Sequence, residues 1–476
     1  MKKNYIYVLL YQFIIVVTPL FTTPYVSRVL GATNIGIDAY ANSVVQIFLV
    51  FILLNVGVYG RKQIAEAEGQ KELKTTFAGI YLMQLICGML VSSVYVIFTW
   101  TVASYQMIFL IYGLMLLAYA LDISWFFIGR EQVKRIMMRN TIVRLLSIAC
   151  IFLFVNDVDD LWVYVFINGA ALLVGQLVTW SALLKDLGWI QFSFQAMKKH
   201  VAPMLLLSVI PCVSLLYTAV NKVILGNIAG ATEVGYYNQA FKLYTICMGF
   251  VSALSTVIVP RMAMHYKKGN QAKFRQFVNF SIRYVSISTI PLTFGLIGIA
   301  TIFVPLFLGD AFIPATAHVM LFAPCLFLAG VADILGLQIL LITNQSKKYT
   351  LSIIIGSVVS FATNILVVRT WGGEGTVFSF LIANFVIVGL QLYFARKHYE
   401  FRYFLKIVAK YTLFSAIMLL AMLGMKTLLV GQSDVFILAY QLITGVYVYL
   451  LCLFLSKDPM LFQILYRKVG KKHAKT

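Results

Sequence analysis

The chain has 476 residues, 61% of them hydrophobic and only 12% charged, with a formal net charge of +21. Its mean hydropathy of +0.89 lies outside the range of soluble globular domains, which excludes a water-soluble enzyme or binding module. A charge this positive could suit a nucleic-acid partner, but its distribution along the chain explains it without one.

A bilayer hydrocarbon core of roughly 30 Å needs about 20 apolar helical residues to cross it. Runs of that kind occur at 5–30, 36–60, 76–100, 104–128, 140–155, 161–184, 201–228, 236–259, 278–305, 315–342, 350–368, 376–395, 407–429 and 435–455. The fifth is short. None carries the polar face that a helix in a soluble core would need. The spacing predicts an all-α polytopic membrane protein with about fourteen transmembrane helices. The first run follows Lys2-Lys3, as in a signal peptide, but it is too long and lacks a small-x-small cleavage site. It reads as a mature helix.

Charge in the breaks sets the orientation. Alternate breaks, including both ends of the chain, hold 31 of the 38 Lys and Arg residues. The opposite set holds Arg369 alone, together with the acidic cluster Asp157, Asp159 and Asp160. The positive-inside rule then places both termini in the cytoplasm and requires an even number of spans in the cytoplasmic membrane. That bias accounts for the +21 and leaves no role for nucleic acid. The basic tail at 466–475 is expected to lie against anionic lipid headgroups or to be solvated. Cys87, Cys150, Cys212, Cys247, Cys325 and Cys452 all fall in apolar runs without CxxC spacing. They read as small buried hydrophobes, so no disulfide, metal or cofactor is expected.

One phrase recurs. GATNIG at 31–36 and GATEVG at 230–235 each follow a long apolar run and begin the next. The correspondence continues with Gly60-Arg61 over Pro260-Arg261, and with EGQKELK (68–74) over KGNQAKF (268–274). Six helices per copy give both copies the same membrane orientation. The expected organisation is two parallel six-helix lobes, 1–200 and 201–400, with helices 13–14 and the tail in 401–476. Parallel repeats related by an axis along the membrane normal are a transporter architecture, with the substrate path between the lobes. A duplicated bundle without a path is the structural alternative. Pro19 and Pro24 on the first helix, and Pro203 and Pro211 on the seventh, are expected to interrupt the leading helix of each lobe.

Nine charged residues fall within or at the ends of spans: Arg28, Asp38, Asp122, Arg144, Lys222, Lys242, Arg283, Asp333 and Lys426. Exposure of each to lipid would cost roughly 2.5–3.5 kcal/mol, so most should face an interior cavity or reach a headgroup. The excess is positive and favours an anion, with phosphate or diphosphate well matched to Arg and Lys donors. Lys222, Arg28, Lys242 and Arg283 are the candidate cargo-binding cations. Asp38, Asp122 and Asp333 are candidates for coupling or charge balance. Simpler roles stand beside these. Arg144 and Arg283 suit snorkelling to the cytoplasmic face, and Lys426 to the outer face. Arg28 and Asp38 could pair as a clasp. Trp125 suits an aromatic belt position better than sugar stacking.

The segments PYVSRVLGATNIG (24–36), GVYGRKQIA (57–65), LDISWFFIGREQVKRIMMRN (121–140) and GATEVGYYNQAFKLY (230–244) resemble the Wzx-type polysaccharide flippases. These belong to the multidrug/oligosaccharidyl-lipid/polysaccharide (MOP) exporter superfamily. The resemblance implies a non-enzymatic flippase that moves undecaprenyl-diphosphate-linked oligosaccharide repeat units across the cytoplasmic membrane for capsule or O-antigen-like polymers. It further implies alternating access through a cationic cavity, with lipid-linked oligosaccharide, membrane lipids and polysaccharide polymerase machinery as partners.

Other classes fit less well. A membrane glycosyltransferase would need a larger extramembrane loop bearing carboxylates. An ATP-driven pump would need GxxxxGK[ST], which does not occur. A multidrug or cation antiporter would favour an acidic cavity, and a peptidoglycan lipid-precursor flippase would share both fold and anionic cargo.

Overall fold

The computed structural model describes the backbone from Lys2 to Met460. It describes side chains from Ile14 onward, except at positions 16, 210, 214, 216, 217, 250, 252–254, 256 and 257. The basic tail and the Lys2-Lys3 side chains lie outside the described residues. Among the described residues there are helices and no strands. The helices are α1 (Lys2–Leu53), α2 (Val56–Glu66), α3 (Gly69–Thr101), α4 (Gln106–Ala120), α5 (Ser124–Gly129), α6 (Val133–Phe154) and α7 (Leu161–Leu187). They continue with α8 (Phe194–Ala229), α9 (Ala231–Lys267), α10 (Gln271–Leu308), α11 (Ala315–Asp333), α12 (Ser346–Ala395), α13 (Phe401–Leu428) and α14 (Asp434–Leu455).

Two helices hold two spans each. α1 leaves helical geometry at Gly31 (φ 72°) and α12 at Gly372 (φ 50°), both in the left-handed region that glycine tolerates. Dividing them there, and joining the short α2 and α5 to the helices before them, gives the fourteen spans. The prolines do not break their helices: α1 runs through Pro19 and Pro24, and α8 through Pro203 and Pro211. Neighbouring groups in a membrane bundle can satisfy the carbonyl that a proline leaves unpaired. The chain breaks instead at Gly31 and Gly230. The fifth span is also longer than its apolar run suggests, because α6 begins at Val133.

Packing divides the chain into two compact units: 1–238 with 357–379, and 239–356 with 380–476. In the first, the segments GVYGRKQIA and LDISWFFIG become α2 and α5, packed on glycine. Gly60 lies against the Trp125 indole, and Gly129 against the Arg61 carbonyl and Ile64. Trp125 is therefore core, only 2% exposed, stacked on Phe77 and donating from Nε1 to Gln84 Oε1 at 3.2 Å. An aromatic belt role does not hold for it, because the glycines opposite admit the ring to the interior. In the second unit α10 packs against α11, α13 and α14. Gly298 receives Leu419 and Met422, and the Gln441 amide donates to the Met422 carbonyl at 3.1 Å.

Candidate translocation site

The two copies of the repeated phrase meet. Thr33 and Thr232 place their hydroxyl oxygens 3.0 Å apart. A methyl group at Gly36 would collide with the Ala231 carbonyl, and one at Gly235 with the Ala32 carbonyl. These contacts are reciprocal, because 32 pairs with 235 as 231 pairs with 36, at the repeat offset. Reciprocity of this kind is the signature of a two-fold relation. Gly31 and Gly230 share one backbone conformation, with φ 72° and ψ 174° against φ 91° and ψ 170°. The same turn thus starts a helix in each copy and brings the two helix starts into backbone contact.

The fourth residue of each phrase differs, and the difference has a use. Asn34 donates from Nδ2 to the Val158 carbonyl at 2.6 Å, whereas the Glu233 carboxylate accepts from the Gly373 N–H at 2.9 Å. One connection offers an acceptor and the other a donor, so the side chains are complementary. These bonds put the 155–160 connection, the break at 372–373 and both copies of the phrase on one side of the first unit. Charge predicts that side to be external. Tyr40 closes the seam further, with its ring against Gly226 and its hydroxyl 2.8 Å from Asn227 Oδ1.

The candidate cations lie at different depths. Arg28 is exposed, three residues before the Gly31 turn, or about 4.5 Å along the helix. Lys222 is half-buried, eight residues before the Gly230 turn, or about 12 Å. Its ammonium donates to Asn238 Oδ1 on α9 at 2.8 Å. Beside it, Asn221 is fully buried, bonds Ser360 Oγ at 2.8 Å and receives the Asn364 amide at 3.2 Å. Lys242 is half-buried on α9 in the second unit. Arg283, in that same unit, donates to the Tyr403 hydroxyl at 3.2 Å.

The acids fall into separate settings. Asp38 accepts from the Tyr112 hydroxyl at 2.7 Å, and Tyr164 stands in the field of both Asp38 and Arg144. This cluster draws on α1, α4, α6 and α7. Arg144 is eleven residues into α6, and five residues beyond Arg139. Asp122 serves the chain locally, accepting from both the backbone N–H and the hydroxyl of Ser124 at the start of α5. Asp333 ends α11 where a π-helical turn (Ile334–Leu340) begins, and accepts from Ser255 Oγ. Gln338 from that turn donates to the same hydroxyl at 2.8 Å. Lys426 is bonded to Thr301 Oγ1 at 2.8 Å, which ties α13 to α10.

Sequence reasoning did not identify Thr33, Thr232, Asn34 and Glu233 as a contact, although two equal phrases at a symmetric offset are the signal that could have. Tyr112, Tyr164, Ser255 and Gln338 are neutral polar residues in apolar runs, and nothing in their spacing marks them.

Comparison with known proteins places this geometry. The sequence profile of the polysaccharide biosynthesis protein family matches residues 1–265, and that of the lipid II flippase MurJ family matches 136–444. A putative O-antigen transporter of Escherichia coli (strain K12) is 23% identical over 84% of this chain and 97% of its own length. A probable low-salt glycan biosynthesis flippase of Haloferax volcanii is 23% identical over 49% of each chain. Among solved structures, the lipid II flippase MurJ in an inward closed conformation superposes with a TM-score of 0.73 at 16% identity. It covers 98% of this chain and 100% of that one. An inward-facing multidrug resistance MATE family transporter of the MOP superfamily gives 0.63 at 13% identity, covering 82% and 94%. These superpositions identify the fold.

Proposed function

The chain belongs to the polysaccharide biosynthesis protein family, within the MOP exporter superfamily, and on that premise we propose that it flips lipid-linked oligosaccharides across the cytoplasmic membrane. The cargo of this reading is an undecaprenyl-diphosphate-linked repeat unit of a capsule or O-antigen-like polymer, passed on to polymerase machinery. The carrying observation is the reciprocal seam at Thr33 and Thr232. A two-fold contact between the starts of equivalent helices can close one side of a path and reopen it by a relative movement of the lobes at 1–200 and 201–400. Both chain ends are cytoplasmic in this reading.

Lys222 and Arg28 are the proposed grips on the diphosphate. Both sit on the helices that lead into the seam, and their stagger of about 7.5 Å along the axis suits successive contacts with an extended anion. Asp38 and Asp333 hold charge balance within their hydroxyl clusters, and Lys242 and Arg283 are further candidate cations within the second unit. Export of polymer, measured beside membrane abundance, tests the site. Lys222→Ala should abolish export at normal abundance, and Lys222→Arg should restore part of it. Full export by an Arg28→Ala, Lys222→Ala double variant would remove both residues from the cargo path.

The match to the MurJ profile supports a second reading, in which the cargo is a peptidoglycan lipid precursor. Rescue of a cell depleted of its lipid-precursor flippase would favour that reading, and rescue of a cell lacking its repeat-unit flippase would favour the first.

A further inference from the structure

The segment GREQVKR does more than join two spans. Glu131 has φ +60°, in the left-handed region disfavoured for a residue with a side chain. The Gln132 N–H reaches back to the Phe127 carbonyl at 2.8 Å, and α6 starts at the next residue. The turn sits beside a cavity of about 210 Å³ on the basic side of the first unit. Its polar lining includes Arg130, Gln132, Arg135 and Asp186, above a floor that includes Leu73 and Phe126.

The donors in this cavity are arranged for a ligand. Arg135 is held by one edge, 2.8 Å from Asp186 Oδ2, with its guanidinium over the Phe127 ring at 5.5 Å. Its other N–H groups remain available. The Arg130 guanidinium has no hydrogen bond or ion pair among the described residues. The Gln132 carboxamide oxygen is buried without a hydrogen-bond partner among the described residues. The start of α6 adds the positive end of a 22-residue helix. Two arginines outweigh the one carboxylate, and a planar guanidinium pair suits a tetrahedral oxyanion.

We propose that this cavity is a phosphate-binding site, separate from the cargo grips at Lys222 and Arg28. It lies where the chain leaves its apolar segments, so the phosphate can come from an anionic phospholipid headgroup or from solution. The turn recurs at Asn344 (φ +59°), where Gln345 N–H reaches Leu340 O at 2.8 Å. In that copy Lys348 is bonded to Gln345 Oε1 at 2.8 Å, so its ammonium is already engaged.

Native mass spectrometry of the full-length protein, reconstituted with equal phosphatidylglycerol and phosphatidylcholine, tests the site. The wild type should retain phosphatidylglycerol in preference, and Arg130→Ala should lower that retention about tenfold, the loss of one charge-assisted hydrogen bond. Asp186→Asn should raise it. Lys62→Ala, on the same basic side and outside the cavity, should leave it unchanged. Displacement by millimolar inorganic phosphate in the wild type but not in Arg130→Ala would assign the site to soluble phosphate. Equal retention by the wild type and Arg130→Ala with no response to phosphate, an equal loss in Lys62→Ala, or weaker binding by Asp186→Asn would each overturn the proposal.

Discussion

Thr33 and Thr232 stand 199 positions apart in the chain and 3.0 Å apart in space, each at the third residue of the same phrase. Around them each glycine that ends a phrase takes the carbonyl of the other copy's alanine. The repeat and the seam are one feature, because a sequence that begins a helix identically in two lobes can bring those starts together across a two-fold axis.

Glycine at positions 36 and 235 is required by backbone contact, with no flexible side chain able to give way. Gly36→Ala and Gly235→Ala should each force the helix starts apart and cost on the order of 1–3 kcal/mol, as overpacking does. Gly57→Ala provides the contrast, since nothing lies within 4 Å of a methyl group there. Thermal unfolding in detergent should show both seam variants destabilised and Gly57→Ala unchanged or slightly raised.

The complementarity at the fourth position makes a sharper test. Asn34→Asp removes the donor to the Val158 carbonyl and sets a carboxylate against it, which should cost about 1–3 kcal/mol. Glu233→Gln keeps an acceptor for the Gly373 N–H and should be tolerated, whereas Glu233→Lys should not be. Comparable losses from Glu233→Gln and Glu233→Lys would show that the acceptor is irrelevant.

Beyond the last span, Asp458 is 1% exposed and ion-paired with Lys410 at 2.6 Å. Burial pushes its carboxyl up, but the Lys410 ammonium, the Met460 N–H and the Tyr411 hydroxyl together outweigh it and hold the group below the usual value. A depressed carboxylate contributes stability above its unfolded value of about 3.9, and that contribution is lost as pH falls through the folded value. Lys410→Met should cost about 3–5 kcal/mol at neutral pH, because it leaves a buried charge unpaired. The melting difference between the wild type and Asp458→Asn should persist from pH 7 to pH 5 and shrink below about pH 4.

The sequence carried the apolar helices and the repeated phrase, because hydropathy is local and the membrane enforces it. It misplaced features that depend on a neighbour. Trp125 looked interfacial from its position near a basic break, and only Gly60 opposite explains its burial. Prolines suggested breaks that the bundle absorbs, while the actual breaks fall at glycines whose positive φ no pattern requires. The candidate cations were legible as charges in apolar runs, but the hydroxyls and amides around them were not.

Asn156 and Asn270 test the parity directly. In a Cys-free background, cysteines placed at these positions should be labelled from opposite sides of the membrane by an impermeant reagent. Labelling of both from one side would contradict the odd count of three spans between them, α7, α8 and α9, and the parallel repeat with it.

In the proposed mechanism the seam opens when cargo crosses, and a cross-link across it measures that opening. Thr33→Cys with Thr232→Cys in a Cys-free, export-competent background should form a disulfide under mild oxidation. Polymer export should stop in the oxidised state and return on reduction, while each single variant exports under both conditions. Full export with the disulfide quantitatively formed would contradict the account.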